Sequence, residues 1–236
     1  MRVLIVDDER PARDKLRRML AQDAGIAAIA EARDGIEALQ QIAEFKPDAL
    51  FLDIQMPEIS GLELAASLPA PAPLVVFVTA FDEYAIRAFD ANAIDYLLKP
   101  YDQARLQRAL LRLRERLHRR EPMPAFDSGQ PLRQLLVTER GTTRIVKVDQ
   151  IQWLESADNY VVLHTGAGDP LMRQTLAGLA ARLGPGFVRC HRRAVVQLSW
   201  IESVVALDKG DCDLLLRGGA RVPCSRQYRA AVMERL

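Results

Sequence analysis

The chain has 236 residues, a formal net charge of +1 and 49% hydrophobic residues. That length accommodates one or two domains with real cores and argues against general disorder. Three cysteines without a CxxC pair exclude a disulfide scaffold and a structural zinc site. No apolar run reaches the ~18–20 residues of a membrane span, and the start MRVLIVDDER lacks a signal cleavage site. A cytoplasmic protein without a membrane partner is expected.

The first 117 residues alternate between short apolar runs and amphipathic stretches. VLIV at 3–6 is the first strand candidate, and a helix follows with Leu16, Met19 and Leu20 on one face. IAAIA at 26–30 is the second strand, and a helix over 34–44 carries Ile36, Leu39 and Ile42. DALFL at 48–52, LVVFV at 74–78 and IDYLL at 94–98 are the third, fourth and fifth strands. Helices are expected at about 60–68 and 82–90, and a last one from about 102 with Leu106, Leu110, Leu113 and Leu117 in one stripe. Nearly all-apolar strands separated by helices predict a doubly wound α/β domain with a five-stranded parallel sheet. Its reactive residues belong at the C-terminal ends of the strands.

Those ends carry Asp7 and Asp8 after the first strand, Asp53 after the third, Thr79 after the fourth and Lys99 after the fifth. Three carboxylates on one rim repel one another, and a hard divalent cation such as Mg²⁺ relieves that repulsion. A matching reaction is attack of Asp53 on a phosphoryl donor, with Lys99, Thr79 and the cation stabilising the developing charge. The main-chain carbonyl of Gln55 is placed to complete the metal shell. Asp7 also reads as the neighbour of a helix cap, and Tyr96 as core filler.

VDDE at 6–9, LDIQMP at 52–57, TA at 79–80 and DYLLKP at 95–100 together resemble the receiver domains of response regulators. The resemblance covers 1–118. It implies that a sensor histidine kinase phosphorylates Asp53 and that Asp7, Asp8 and Asp53 bind Mg²⁺. It also implies that Thr79 and Ala80 contact the phosphoryl group, that Lys99 pairs with it, and that Tyr96 switches with Thr79. A homodimer through about 82–117 is expected on activation. The domain is not expected to be an enzyme beyond slow loss of its own phosphoryl group.

PMPAFDSGQP at 122–131 holds three prolines and a glycine, so 119–131 reads as a linker. Beyond it the pattern changes to short strand-like runs between turn-rich segments: QLLVTE, TRIVKV, IQWLES, YVVLHT, AVVQLS, IESVVAL, DLLLR and ARVPC. Helices are plausible at about 175–183 and 226–235. Charge divides with the pattern: residues 1–110 hold 12 basic and 18 acidic side chains, whereas 132–236 hold 15 and 10. A basic, mostly β half suits a polyanion. CHRRAVV at 190–196 offers His191, Arg192 and Arg193; VPCSRQYR at 222–229 offers Ser225, Arg226 and Gln227; Asn159 and Tyr160 fall in a turn. These suit phosphate and base-edge contacts, with Arg192 read as a base reader and Arg193 as a phosphate contact. Ser225 reads equally as a helix cap, His191 as a structural hydrogen-bonding residue and Arg193 as a solvated charge.

WLESADNYVVLHT at 153–165, RQTLAGLAARL at 173–183, FVRCHRRAVVQL at 187–198 and GGARVPCSRQYR at 218–229 together resemble the LytTR DNA-binding domain of LytR/AlgR response regulators, over 132–236. That implies an elongated β fold that inserts loops into double-stranded promoter DNA. Arg193 and Gln197 stand where the family commonly has serine or asparagine, and Gln227 where arginine is frequent, so base preference is expected to differ. The alternatives are a receiver-controlled protein- or RNA-binding module, or an enzymatic output, for which no nucleophile–base pair is present.

Overall fold

The structure, a computed structural model, describes residues 1–69, 71–80, 93–119, 132–139, 142–207 and 210–236. The helix expected at 82–90 and residues 120–131 of the expected linker lie outside them. The chain divides into two compact units, Met1–Gly129 and Gln130–Leu236. No helix among the described residues is long and apolar enough to cross a membrane.

In the first unit β1 (Arg2–Val6), β2 (Ala28–Ala32), β3 (Ala49–Leu52), β4 (Leu74–Thr79) and β5 (Asp95–Leu98) form one parallel sheet in the order β2-β1-β3-β4-β5. Every residue of β3 and β4 is buried, which is possible only if both faces are covered. Described helices α1 (Arg10–Leu20), α2 (Gly35–Phe45), α3 (Gly61–Ser67) and α4 (Gln103–Arg119) supply cover. One face packs Val3, Ile5, Phe51 and Leu97 against Leu16 and Leu20 of α1 and Leu106, Leu110 and Leu113 of α4. The chain leaves β1 towards β2 and returns to β3 on the other side of β1. That reversal opens a crevice at the C-terminal ends of β1 and β3.

The second strand lies two residues later than the apolar run at 26–30. It is an edge strand whose register is set by β1, from Arg2↔Ala28 to Val6↔Ala32, rather than by its own hydrophobicity. Capping starts two helices as their sequences dictate: Asp34 accepts from Glu37 N–H (2.8 Å), and Ser60 forms a capping box with Glu63.

The second unit is antiparallel. A hairpin of β6 (Gln134–Glu139) and β7 (Thr142–Lys147) stands beside two sheets. One has five strands, β8 (Ile151–Ala157), β9 (Tyr160–Thr165), β10 (Leu171–Met172), β11 (Phe187–His191) and β12 (Ala194–Gln197), in the order β10-β9-β8-β12-β11. The other has β13 (Ile201–Ala206), β14 (Cys212–Leu216) and β15 (Arg221–Cys224). Helices α5 (Leu176–Arg182) and α6 (Arg226–Met233) complete it. Two strands, β10 and β11, were not expected. β10 has two residues, too few to show a period, whereas β11 does alternate, with Val188 and Cys190 buried and Arg189 and His191 half-buried. Cys190, Cys212 and Cys224 are all buried in the core with Val188, Leu214 and Val232. Burial pushes the Cys190 and Cys224 thiols up to about 12, so both stay protonated at neutral pH.

Asp95 ties β5 to α4. Its buried carboxylate accepts from Arg105 Nη1 (2.9 Å) and Nη2 (2.6 Å), from Arg112 Nη1 (3.0 Å) and from the Tyr96 N–H (2.8 Å). Burial pushes its pKa up, but Arg105, the Tyr96 N–H and Arg112 together outweigh burial and hold it below the ordinary value. A depressed carboxylate stabilises the fold above its unfolded pKa and loses that contribution as pH falls through the folded value. Asp95→Asn is therefore expected to destabilise the first unit at pH 7 by an amount at the lower end of the ~3–5 kcal/mol of a broken buried pair, because Arg112 is half exposed. The gap to wild type should hold down to about pH 4 and narrow below the ordinary 3.8. Urea titrations read by hydrogen-exchange mass spectrometry over residues 93–119 check both.

Candidate functional site

Backbone bonds bring the strand ends together before any side chain acts. Asp53 N–H donates to the Val6 carbonyl (2.8 Å), which sets Asp53 beside Asp7. Gly61 N–H donates to the Ile54 carbonyl (2.9 Å), folding the start of α3 over the Asp53 peptide. A Cβ at Gly61 would stand 2.0 Å from the Asp53 carbonyl oxygen, so only glycine permits this approach.

On this rim Asp7 and Asp53 are buried and Asp8 is exposed, and one oxygen of each lies within 4.8 Å of the others. Lys99 Nζ donates to Asp7 Oδ2 (2.7 Å) and Asp53 Oδ2 (2.8 Å). Gln55 N–H donates to Asp53 Oδ1 (3.2 Å), and Glu9 N–H to Asp7 Oδ1 (2.9 Å). Burial raises the pKa of Asp7 against the lowering effect of Lys99. Burial also pulls Lys99 down, but its bonds to Asp53 and Asp7 outweigh that and leave it raised. One ammonium faces three carboxylates, so negative charge is left over among hard oxygen donors. That donor set fits a divalent cation of the Mg²⁺ class.

Thr79, the last residue of β4, is fully buried, and its Oγ1 has no hydrogen-bond partner among the described residues. Such a hydroxyl costs about 1–3 kcal/mol unless something arrives to accept from it. Its carbonyl accepts from Lys99 N–H (2.7 Å), so the hydroxyl and the ammonium belong to one rim. Ala80 is exposed beside it, and Tyr96 on β5 is buried. Arg13, which the sequence did not single out, lies under the same rim. An arginine in the first turns of a helix reads as solvated charge, and no spacing rule marks it.

In the second unit the candidate contacts gather at one end. Asp158 and Asn159 form the two-residue turn between β8 and β9, with Asp158 at φ 50. Arg192 and Arg193 form the turn between β11 and β12. β12 pairs with β8 through Ala194↔Glu155, and Ser156 N–H donates to the Arg193 carbonyl (2.9 Å), so both turns leave the sheet at the same end. Ser225 N–H donates to the Cys190 carbonyl (3.0 Å), which brings the start of α6 there too. Asn159, Tyr160, Arg192, Arg193, Arg226 and Gln227 are exposed, and His191 and Ser225 are half-buried.

Three details refine the sequence reading. Ser225 stands at the cap position of α6 but makes no cap bond; Asp211 Oδ1 accepts from Arg226 N–H (2.7 Å) in its place. His191 Nδ1 accepts from Arg193 N–H (3.2 Å), so its neutral ring carries the proton on Nε2. Arg193 donates to the Ser156 carbonyl (3.2 Å) and lies 3.5 Å from Glu155. Arg189, also missed, donates to the carbonyls of His191 (3.3 Å) and Arg192 (2.5 Å), bracing the turn from below. Its bonds go to main-chain carbonyls of the turn, which carry no sequence signal.

Comparison with known proteins matches each of the two units to a domain family. Residues 3–111 match the response regulator receiver domain, and residues 141–236 the LytTr DNA-binding domain. The transcriptional regulatory protein BtsR of Escherichia coli is 38% identical over 237 residues, covering 99% of this chain and 98% of that protein. An uncharacterized response regulatory protein of Vibrio cholerae is 37% identical over 234 residues, covering 99% and 97%. The response regulatory domain of protein mrkE from Klebsiella pneumoniae, a solved structure, covers 51% of this chain and 100% of its own at 34% identity and a TM-score of 0.47. The chain belongs to the LytTR-type response regulators. It is a two-component transcriptional regulator with a receiver domain and a DNA-binding domain.

The close approach at Gly61 gives a direct test of the pocket's construction. Gly61→Ala must push the start of α3 off the Asp53 peptide and is expected to cost about 1–3 kcal/mol by overpacking. Urea unfolding of wild type and variant measures it; equal stability would show that the loop re-routes freely.

Proposed function

We propose that Asp53 is the phosphoryl acceptor, charged by a sensor histidine kinase, and that this controls binding of the second unit to double-stranded promoter DNA. The observation that carries the reading is the Lys99 ammonium held between Asp53 and Asp7 beside a buried Thr79 hydroxyl that has no partner among the described residues. An Asp53 carboxylate oxygen attacks the donor's phosphorus, an O–P bond forms, and the bond to the donor's imidazole nitrogen breaks. Lys99 is placed to follow the charge from the carboxylate onto the phosphoryl oxygens. Thr79 Oγ1 donates to one of those oxygens and so gains the partner it lacks, and the Ala80 N–H lies next along the chain. Asp7, Asp8, Asp53 and the Gln55 carbonyl would hold Mg²⁺, which neutralises charge on the phosphoryl oxygens when bound. Tyr96 is the switch partner of Thr79 and repacks behind it.

The activated form is a homodimer through about 82–117, of which 93–117 are described. Leu98 on β5 and Leu111 on α4 are 42% and 56% exposed, which supports an apolar contact there. Arg192, at the hairpin tip, is the base reader, with Asn159, Tyr160, His191, Ser225, Arg226 and Gln227 around it. His191 offers its Nε2–H as a donor. Arg193 is a phosphate contact that also braces its turn against Ser156 and Glu155.

Two measurements check this reading. Incubated with a small phosphodonor and Mg²⁺, wild type should gain one phosphoryl mass and Asp53→Ala none, while Thr79→Ala should still gain it but lose the activated DNA binding. An unchanged acyl-phosphate yield in Asp53→Ala sinks the assignment. In duplex binding at several salt concentrations, folded Arg192→Ala should lose about 1–3 kcal/mol of preference between a selected and a scrambled duplex. Arg193→Ala should weaken both duplexes about equally and lower the salt slope by about one unit. If both variants bind like wild type, the DNA-binding face lies elsewhere.

A further inference from the structure

We propose that Arg13 is a positioning residue for the acidic pocket, clamping the turn between β1 and α1 so that Asp7 and Asp8 present their carboxylates to a divalent cation. The inference rests on the metal reading given above.

Arg13 reaches back from α1 beneath the turn, with only 14% of its side chain exposed. A single guanidinium nitrogen, Nη1, donates to the carbonyl oxygens of Asp7 (2.7 Å) and Asp8 (3.2 Å). Nε faces Glu31 Oε2 on β2 (3.4 Å), and the other oxygen of Glu31 takes Arg17 Nε (3.1 Å). One rigid planar donor thus fixes two consecutive peptide carbonyls, and with them the directions in which both aspartates project. The Glu9 N–H then holds Asp7 Oδ1 from the other side (2.9 Å). Arg13 does not touch the three carboxylate groups within these bonds, so its action is on the backbone that carries them. Groups that orient ligands from behind typically change metal affinity by about 10–100-fold when removed.

Charge and geometry make opposite predictions. As a bare cation near the pocket, Arg13 would oppose a second cation, and its removal would tighten metal binding. As a clamp, its removal loosens the ligands and weakens binding. Glu31 lies against the guanidinium and neutralises much of its field, so the clamp should dominate. Lysine separates the two, because it keeps the charge and loses the planar, multi-donor head.

The experiment is Mn²⁺ titration of the full chain by calorimetry, counting only the site that Asp8→Asn removes. Alongside it, the Mg²⁺ concentration giving half the maximal rate of phosphorylation from a small phosphodonor is measured. Arg13→Gln is expected to weaken Mn²⁺ about tenfold and Arg13→Lys several-fold, with the half-saturating Mg²⁺ rising by matching factors. Far-UV circular dichroism and melting in EDTA establish folding; if the glutamine variant does not fold, the lysine variant decides alone. Arg13→Lys binding like wild type overturns the clamp, and tighter binding by Arg13→Gln would mark Arg13 as a charge only. If wild type has no Mn²⁺ site that Asp8→Asn removes, the metal reading itself falls and the inference with it.

Discussion

Three carboxylates do not gather on one rim without something positive to hold them, and here that is the ammonium of Lys99. It spans Asp7 and Asp53 at 2.7 and 2.8 Å, from the end of β5 to the ends of β1 and β3. Removing such a partner leaves buried negative charge uncompensated, which is costly in a low-dielectric site. The sheet order serves this contact: β1 and β3 are neighbours, so their aspartates sit side by side, and β5 lies close enough for a lysine to reach across β4. A single positive charge does not neutralise three negative ones, and the remainder is what a cation or a cationic donor complex can use.

Much of this pocket was legible in the sequence because parallel strands buried on both faces are written as apolar runs, and the first polar residue after each run must lie on the rim. Asp7, Asp53 and Lys99 follow from that rule alone. The second strand was misplaced by two residues because an edge strand takes its register from its neighbour. Arg13 and Arg189 were invisible for a different reason. Each acts by donating to backbone carbonyls of near neighbours in the chain, and a carbonyl has no signature in the sequence. The same holds for Asp211, which replaces Ser225 as the partner of the first α6 amide from a loop fourteen residues before Ser225.

In the second unit, local sequence supplied the turns but not their convergence. Asn159 and Arg192 are 33 positions apart, and nothing local relates them. The β8–β12 pairing does, since two antiparallel hairpins that share neighbouring strands send their turns out at the same end. Acidic residues share this end: Glu155 lies 3.5 Å from Arg193, Asp158 sits in the β8–β9 turn and Asp211 accepts from the Arg226 N–H, so the surface is a set of directed donors rather than a uniform positive field. Directed donors suit recognition of base edges, whereas a uniform field suits the phosphate backbone.

The buried Thr79 hydroxyl bears on how large a switch the receiver can be by itself. A ligand moves an equilibrium only by its differential interaction with the two states. On the proposed reading, Oγ1 lacks a partner before phosphorylation and gains one afterwards, a difference of about 1–3 kcal/mol. That is roughly a 5–150-fold shift in population. Moving a two-state protein from 1:99 to 99:1 needs about 5.5 kcal/mol. The shortfall has to come from elsewhere, and Lys99 is a weak source because it is already doubly paired before the phosphoryl group arrives. Association of two receivers is a stronger one. Each newly buried leucine such as Leu98 or Leu111 contributes on the order of 1 kcal/mol. Joining two DNA-binding units also raises the effective concentration of the second at a paired site. On the proposed reading the pocket biases the receiver, and dimerisation on DNA would turn that bias into a switch.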